Sequence, residues 1–151
     1  YSRDEILAAF GESKLTKRNP LVAGVLYSKR YKTDILFITL RKEEKDFLPM
    51  HRYSDYPINE NYFHWESQST TSLASLTGQR YLNHQAEGTK VALFVREAKK
   101  DSRGNTMPYF ALGYARYFKH EEGKEKPMQI TWELERELPG RALTSFKEAV
   151  A

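Results

Sequence analysis

The apolar segments of this chain are short and separated by polar residues, and this pattern restricts the possible folds more than any other feature. Thr89–Glu97, Tyr109–Phe118 and Met128–Leu138 each have the length and the β-branched and aromatic content of a strand. Leu21–Tyr27 and Asp34–Leu40 flank a polar turn, which predicts a β-hairpin. Because helices do not alternate regularly with these strands, an all-parallel βαβ architecture is not expected.

Individual positions refine this pattern. Ser2 and Glu5 have the spacing of a capping box and Gly11 follows nine residues after Ser2, so a short N-terminal helix is predicted between them. Every residue of Ile35–Ile38 is apolar, which indicates a central strand buried on both faces. The face of the last strand predicted to be buried consists of Ile130, Trp132, Leu134 and Leu138.

These features predict a β-rich α+β fold. We expect a single domain over residues 1–151, built on a curled antiparallel or mixed sheet or a small barrel, with one or two short helices. The small barrels of PUA, SRA and EVE domains are fold-level analogies for such an arrangement. Since the chain begins at Tyr1 without an initiator Met, we interpret it as a domain excised from a larger protein.

Composition excludes several classes of protein. The chain has no cysteine, so it holds neither disulfides nor cysteine-based zinc sites, and this composition fits a reducing compartment such as the cytoplasm. Its longest apolar runs fall far short of the ~20 residues that a membrane-spanning helix needs. We therefore expect a cytoplasmic protein without a membrane partner.

Charge is distributed unevenly along the sequence. The segment Lys14–Arg52 contains ten basic and four acidic residues, whereas Glu121–Glu137 contains six acidic and three basic residues. Such polarity would steer a polyanion toward the basic side of the molecule. Lysines and arginines also keep any domain in solution, so charge alone leaves both interpretations open.

Catalytic motifs are weak or missing. The four histidines (His51, His64, His84 and His120) are dispersed and lack the spacing of a zinc site. A Glu-x-Lys pattern of the nuclease type ends one strand at Glu97–Lys99, but the same pattern occurs three more times in this charged chain. We therefore expect neither an enzyme nor a bound metal or cofactor.

The segment Tyr62–Ser72 combines three aromatic rings with an imidazole, a carboxylate, an amide and five hydroxyls. Aromatic rings stack on bases, and amides and hydroxyls bond to base edges or phosphates, so this segment is a candidate recognition surface. If it begins as a strand, Phe63, Trp65 and Ser67 share one face, and His64 and Gln68 lie on the other. The alternative is that its rings are core and its hydroxyls stabilise a loop.

A second candidate surface lies within Leu73–His84, where one or two helical turns are expected. Arg80 and Tyr81 place a phosphate-compatible cation beside a stacking ring. The alternative is an ordinary amphipathic helix.

A family resemblance extends over nearly the whole chain, from Tyr1 to about Pro139. Its most specific part is the His-Trp-Glu-Ser-Gln block within Phe63–Thr71. The other matching stretches are Ser2–Leu7, Gly24–Tyr27, Lys32–Asp34, Thr77–Tyr81, Phe94–Glu97, Gly113 and Ile130–Trp132. On these residues the chain resembles an uncharacterised bacterial domain found at the C-terminus of DEAD/DEAH-type helicases, often with a phospholipase-D-like nuclease, and in some restriction-type nucleases.

The resemblance implies DNA processing or phage defence. We expect a DNA-binding recognition domain that reads modified DNA, either an altered base or a phosphorothioate backbone, and directs helicase and nuclease domains of the same polypeptide in restriction. The alternative is a regulatory domain that docks on its own helicase core. The predicted discriminating pocket is lined by His64, Trp65, Ser67, Gln68, Ser69, Thr70, Arg80 and Tyr81. The cations predicted to attract DNA are Lys29, Arg30, Lys32 and Arg52.

Overall fold

The architecture is a mixed sheet with helices on both faces. The computed structural model describes residues 1–12, 24–41, 55–68, 71–125 and 127–151. The described elements in chain order are α1 (Arg3–Ala9), β1 (Val25–Ser28), β2 (Thr33–Arg41), β3 (Tyr56–Pro57), β4 (Tyr62–Glu66), α2 (Leu76–Glu87), β5 (Lys90–Ala98), β6 (Phe110–Glu125), β7 (Met128–Leu134) and α3 (Gly140–Ala149).

The seven strands form one sheet in the order β1-β2-β5-β6-β7-β4-β3. Strands β2 and β5 are parallel, and the other neighbours are antiparallel. The predicted α+β class and mixed sheet are confirmed, but the described part of the sheet does not close into a barrel. Its edges are β1 and β3, and β3 has only two residues, too few to form a closing ladder.

Strand β2 is buried on both faces, as the apolar run predicted. Leu36 and Ile38 belong to one hydrophobic core and Ile35 and Phe37 to another, because successive side chains point to opposite faces of the sheet. Helices α2 and α3 pack on the face that carries Leu36 and Ile38, and the core between them and the sheet is called the α2/α3 core. Helix α1 packs on the face that carries Ile35 and Phe37, and the core beneath it is called the α1 core. The helical residues buried in these cores are Ile6, Leu7, Tyr81, Phe146 and Ala149.

The helix ends follow from local sequence. Ser2 accepts a hydrogen bond from the backbone N–H of Glu5, whose side chain bonds back to Ser2, so the predicted capping box is confirmed. Helix α2 is longer than the expected one or two turns. It begins after Ser75, whose hydroxyl accepts from the N–H of Gly78, and ends at Gly88 in the left-handed conformation.

The hairpin and the last strand were also predicted correctly where they are described. Val25–Ser28 pairs with Thr33–Leu36 in antiparallel register, while residues 21–23 of the predicted first strand lie outside the described residues. The last strand ends earlier than expected, at Leu134. The four residues of its predicted buried face all lie in the α2/α3 core: Ile130, Trp132, Leu134 and Leu138.

Gly78 marks the closest approach of α2 to the rest of the molecule. A Cβ atom at this position would lie 2.0 Å from the carbonyl oxygen of Ser72 and 3.0 Å from the sulfur of Met128. We therefore expect Gly78→Ala to lower the free energy of unfolding by about 1–3 kcal/mol, although alanine is the better helix former. Urea denaturation measures this change.

Gly140 provides the matched control, since a Cβ there meets nothing within 4 Å. Gly140→Ala should leave stability unchanged or raise it slightly. Equal effects of the two substitutions would contradict close packing at Gly78.

Candidate nucleic-acid interface

The two large aromatic side chains of the predicted pocket belong to the hydrophobic core. Trp65 on β4 is 4% exposed and Tyr81 on α2 is fully buried, with their ring centroids 5.4 Å apart in an edge-to-face arrangement. Both lie in the α2/α3 core beside Trp132. The expectation that these rings line an open stacking surface is wrong, because the sheet and α2 exclude any ligand from them.

The polar residues after β4 bond to one another and to the core. The Ser67 hydroxyl accepts from the backbone N–H of Met128 at 2.8 Å. The Gln68 side-chain oxygen accepts from the Tyr81 hydroxyl at 2.9 Å and from the Thr71 hydroxyl at 3.1 Å. This network stabilises the connection between β4 and α2. It agrees with the alternative interpretation of the sequence, in which the hydroxyls of this segment stabilise a loop.

The position of Gln68 differs from the one that strand alternation predicted, and two residues of the predicted pocket are not described. Gln68 contacts Tyr81, on the side of Trp65 rather than of His64, because β4 ends at Glu66 and strand alternation ends with it. Ser69 and Thr70 lie outside the described residues.

His64 lies on the opposite face from Trp65, as the alternation predicted. Its ring is buried and stacks on Tyr56 with centroids 4.6 Å apart, and its Nε2 is 3.9 Å from a carboxylate oxygen of Glu121. A carboxylate thus lies close to the ring, which does not favour a phosphate contact at this position.

Arg80 is the cation of a buried ion pair. Its Nε and Nη2 donate to the two carboxylate oxygens of Asp34, each at 2.7 Å, and its guanidinium lies 4.1 Å from the centroid of the Tyr27 ring. Burial raises the pKa of Asp34, and the hydrogen bonds from Arg80 oppose that shift. Two of the guanidinium donors predicted for DNA are thus bound to Asp34, and this corrects the proposed role of Arg80.

A neutral histidine supports the same region. The Nε2 of His84 accepts from the backbone N–H of Tyr117 at 3.0 Å, and its Nδ1 contacts the Thr89 carbonyl oxygen at 3.2 Å. Burial lowers the pKa of His84, which favours the uncharged ring that this bonding pattern requires. His84 therefore holds α2 against β6 and is not available to a ligand.

The predicted basic residues of the β1–β2 turn are exposed. Lys29, Arg30 and Lys32 lie in this turn, and Lys90 begins β5 directly beside it, paired with Thr33. They form a cationic cluster at one end of the sheet, which fits the predicted attraction of phosphates. Arg52 lies outside the described residues, as do the other basic residues of 13–23 and 42–54.

A second cationic region lies at the opposite end of β2 and β5, and the sequence analysis did not find it. Here a cavity of about 420 Å³ opens between the start of α1 and the β5–β6 connection. Its described lining includes four cations and a single carboxylate, Asp4. We call it the cationic cleft, and its charged lining residues are Arg3, Asp4, Arg96, Lys99 and Lys100.

Arg96 is the most enclosed cation of this cleft. Its guanidinium lies 4.6 Å from the centroid of the Tyr109 ring, its Nε donates to the Thr39 hydroxyl at 2.9 Å, and its Nη1 donates to the Met107 carbonyl at 3.4 Å. Among the described residues, no carboxylate pairs with it. Burial lowers the pKa of Arg96, and the nearby charge of Arg3 lowers it further, while Tyr109 acts in the opposite direction.

This environment suits an anionic ligand. Two neutral acceptors and a ring hold the guanidinium in place, and an anion would supply the charge that these contacts do not neutralise. Arg3 and Lys100 are exposed at the margin, where Lys100 donates to the Thr106 hydroxyl at 3.0 Å. The signal that could have revealed the cleft is Arg96 itself, an arginine on the same face of β5 as the buried Ala92 and Phe94.

A comparison with known protein families matches nearly the same part of the chain as the sequence resemblance. A family described as a domain of unknown function, DUF3427, matches residues 1–146. The chain belongs to the DUF3427 family. No curated protein matches it significantly.

The described part of this DUF3427 domain contains neither a metal-binding cluster nor a membrane-spanning helix. In the described ranges, no three His, Cys, Asp or Glu side chains lie close enough to hold a metal ion. Nor does any helix there have the length and apolar character needed to cross a membrane.

The Asp34–Arg80 pair generates a prediction about stability. Arg80→Ala leaves a buried carboxylate without its cation, so we expect the free energy of unfolding to fall by about 3–5 kcal/mol. Chemical denaturation measures the loss.

The double variant Asp34→Leu/Arg80→Met is the control, because it removes both charges and should regain most of the lost stability. If Arg80→Ala is as stable as the parent, the pair does not have the structural role assigned here.

Proposed function

We propose that this domain binds DNA through the cationic cleft and serves as a recognition module for helicase and nuclease domains of the same polypeptide, in restriction or phage defence. The observation that carries the proposal is the half-buried Arg96 guanidinium, which faces a cavity rich in cations and pairs with no described carboxylate. The charge pattern of the sequence and the family resemblance support it.

The cleft suits a DNA backbone because its cations are of two kinds. Arg96 is held rigidly by Thr39 and Tyr109, so it loses little conformational entropy when it contacts a phosphate. Arg3 and Lys100 are exposed at the margin of the cleft, where their charges would attract neighbouring phosphates. The cleft therefore combines one oriented contact with sequence-independent attraction.

The exposed cations of the β1–β2 turn add a second region of attraction at the other end of β2. Lys29, Arg30 and Lys32 lie there with Lys90. Their charge would attract a polyanion as it approaches, and salt would screen the effect.

The proposal includes discrimination between modified and unmodified DNA, where the modification is either an altered base or a sulfur-substituted backbone. The contact that discriminates must lie outside the core formed by Trp65 and Tyr81, because those rings are inaccessible. The surroundings of the cationic cleft are the best-supported location, since Met107 and Pro108 place apolar surface directly beside Arg96.

The cleft generates a prediction about DNA affinity. The double variant Arg3→Ala/Lys100→Ala removes two exposed cations, so we expect weaker binding to a short duplex. The dependence of log K on log salt should become shallower by about 2. Fluorescence anisotropy across ~50–200 mM salt measures both quantities.

Lys119→Ala/Lys147→Ala is the matched control, because it removes the same charge from exposed positions outside the cleft. It should leave the salt slope nearly unchanged. Equal slopes for all three proteins, or no measurable affinity of the parent for duplex, would refute the cleft as a DNA interface, and the latter would favour a domain that docks on its own helicase core.

Discrimination is tested on duplexes of one sequence that are unmodified, methylated, hydroxymethylated or phosphorothioated. We expect at least one modified duplex to bind about tenfold or more tightly than the unmodified one, a difference of ~1.4 kcal/mol. Competition at fixed salt measures the ratio. Identical affinities for all four duplexes would show that the domain does not recognise these modifications, but they would not contradict DNA binding itself.

A further inference from the structure

A second cavity adjoins the cationic cleft and differs from it in chemistry. It has a volume of about 360 Å³ and lies between α3 and the ends of β5 and β6. Its walls are mostly apolar, and Phe110 is 41% exposed there, with its ring edge-to-face against Phe146 at 6.0 Å between centroids. We call this cavity the Phe110 groove. An exposed ring of this kind is a surface on which a planar ligand can stack.

The groove and the cleft meet at the β5–β6 connection. Both are lined by Arg96, Met107 and Pro108. Arg96 lies on the α1 side of β5, and Glu97, the next residue, lies on the α3 side, because strand side chains alternate. A ligand that extends over Met107 and Pro108 would therefore have its anionic part near Arg96 and its apolar part near Phe110.

The described polar lining of the groove consists of Arg96, Arg141, Ser145 and one carboxylate, that of Glu97. The Ser145 hydroxyl donates to Oε1 of Glu97, which fixes the carboxylate from the α3 side. Its Oε2 has no hydrogen-bond partner in the described part of the chain. A carboxylate held in this way accepts from an exocyclic amine, such as N4 of cytosine, and repels a carbonyl oxygen.

We propose that the Phe110 groove binds an unpaired, amine-bearing nucleobase whose adjacent backbone phosphate lies in the cationic cleft. The inference rests on the proposed function, because the phosphate site is the cleft. The ring of Phe110 stacks on the base, Glu97 accepts from its amine, and Arg96 binds the phosphate. A nucleotide is favoured over an apolar protein segment because the groove continues into a surface rich in cations.

The test compares three single strands of equal length at one salt concentration: oligo(dC), oligo(dT) and an abasic strand. We expect oligo(dC) to bind about tenfold more tightly than the abasic strand, the scale of a single base-stacking contact. Oligo(dT) should bind less tightly than oligo(dC), because thymine presents a carbonyl oxygen where cytosine presents an amine.

Two variants assign these differences to the groove. Phe110→Ala should abolish the advantage of oligo(dC) over the abasic strand, and Glu97→Gln should reduce the preference for oligo(dC) over oligo(dT). Phe118→Ala is the matched control, since Phe118 is also an exposed phenylalanine on β6 but packs against Tyr62 instead. It should leave both ratios unchanged.

Equal binding of the three strands, or equal effects of Phe110→Ala and Phe118→Ala, would overturn the base site and assign the groove to another occupant, such as a protein side chain. The role of the cationic cleft is tested separately, with the variant Arg3→Ala/Lys100→Ala. If Arg3→Ala/Lys100→Ala still weakens binding of every strand, the proposed function stands without the base site. If that variant has no effect on any strand, the proposed function fails.

Discussion

The buried carboxylate of Asp34 determines much of this structure. It lies at the start of β2, a strand enclosed on both faces, and a charge in such a place requires a cation with matching geometry. Arg80 supplies that cation, and its position fixes α2 on the sheet. The next residue, Tyr81, then enters the core and bonds to Gln68. The ion pair and the core packing of Trp65 and Tyr81 together close the aromatic and hydroxyl-rich segment to solvent.

The sequence predicted the strands better than the site. Alternation identifies the last strand correctly, and the apolar run Ile35–Ile38 correctly indicates a strand buried on both faces, because burial of one or both faces determines the periodicity of apolar residues. That strand, β2, is second from the edge of the described sheet rather than central. Burial of Trp65 could not be predicted from such periodicity, since a tryptophan between His64 and Glu66 is compatible with either a surface or a core. The cationic cleft was missed for a different reason. Arg3 is far from Arg96 and Lys100 in sequence, and it meets them only through the position of α1 on the sheet.

The proposed interface separates affinity from selectivity. The cleft offers charge, which would attract any polyanion, whereas the Phe110 groove offers a ring and one carboxylate, which would distinguish among bases. Arg96 lines both cavities and would link the two proposed functions.

The parallel pairing of β2 with β5 also has a consequence for biosynthesis. β1 can pair with β2 soon after both have been translated, but the other edge of β2 must wait until β3, β4 and α2 have followed. During that interval a strand with two apolar faces presents unsatisfied backbone groups to other nascent chains. Pairings between residues so distant along the chain also form slowly. Strand β2, whose two faces are buried in the mature molecule, would thus be prone to aggregate during synthesis.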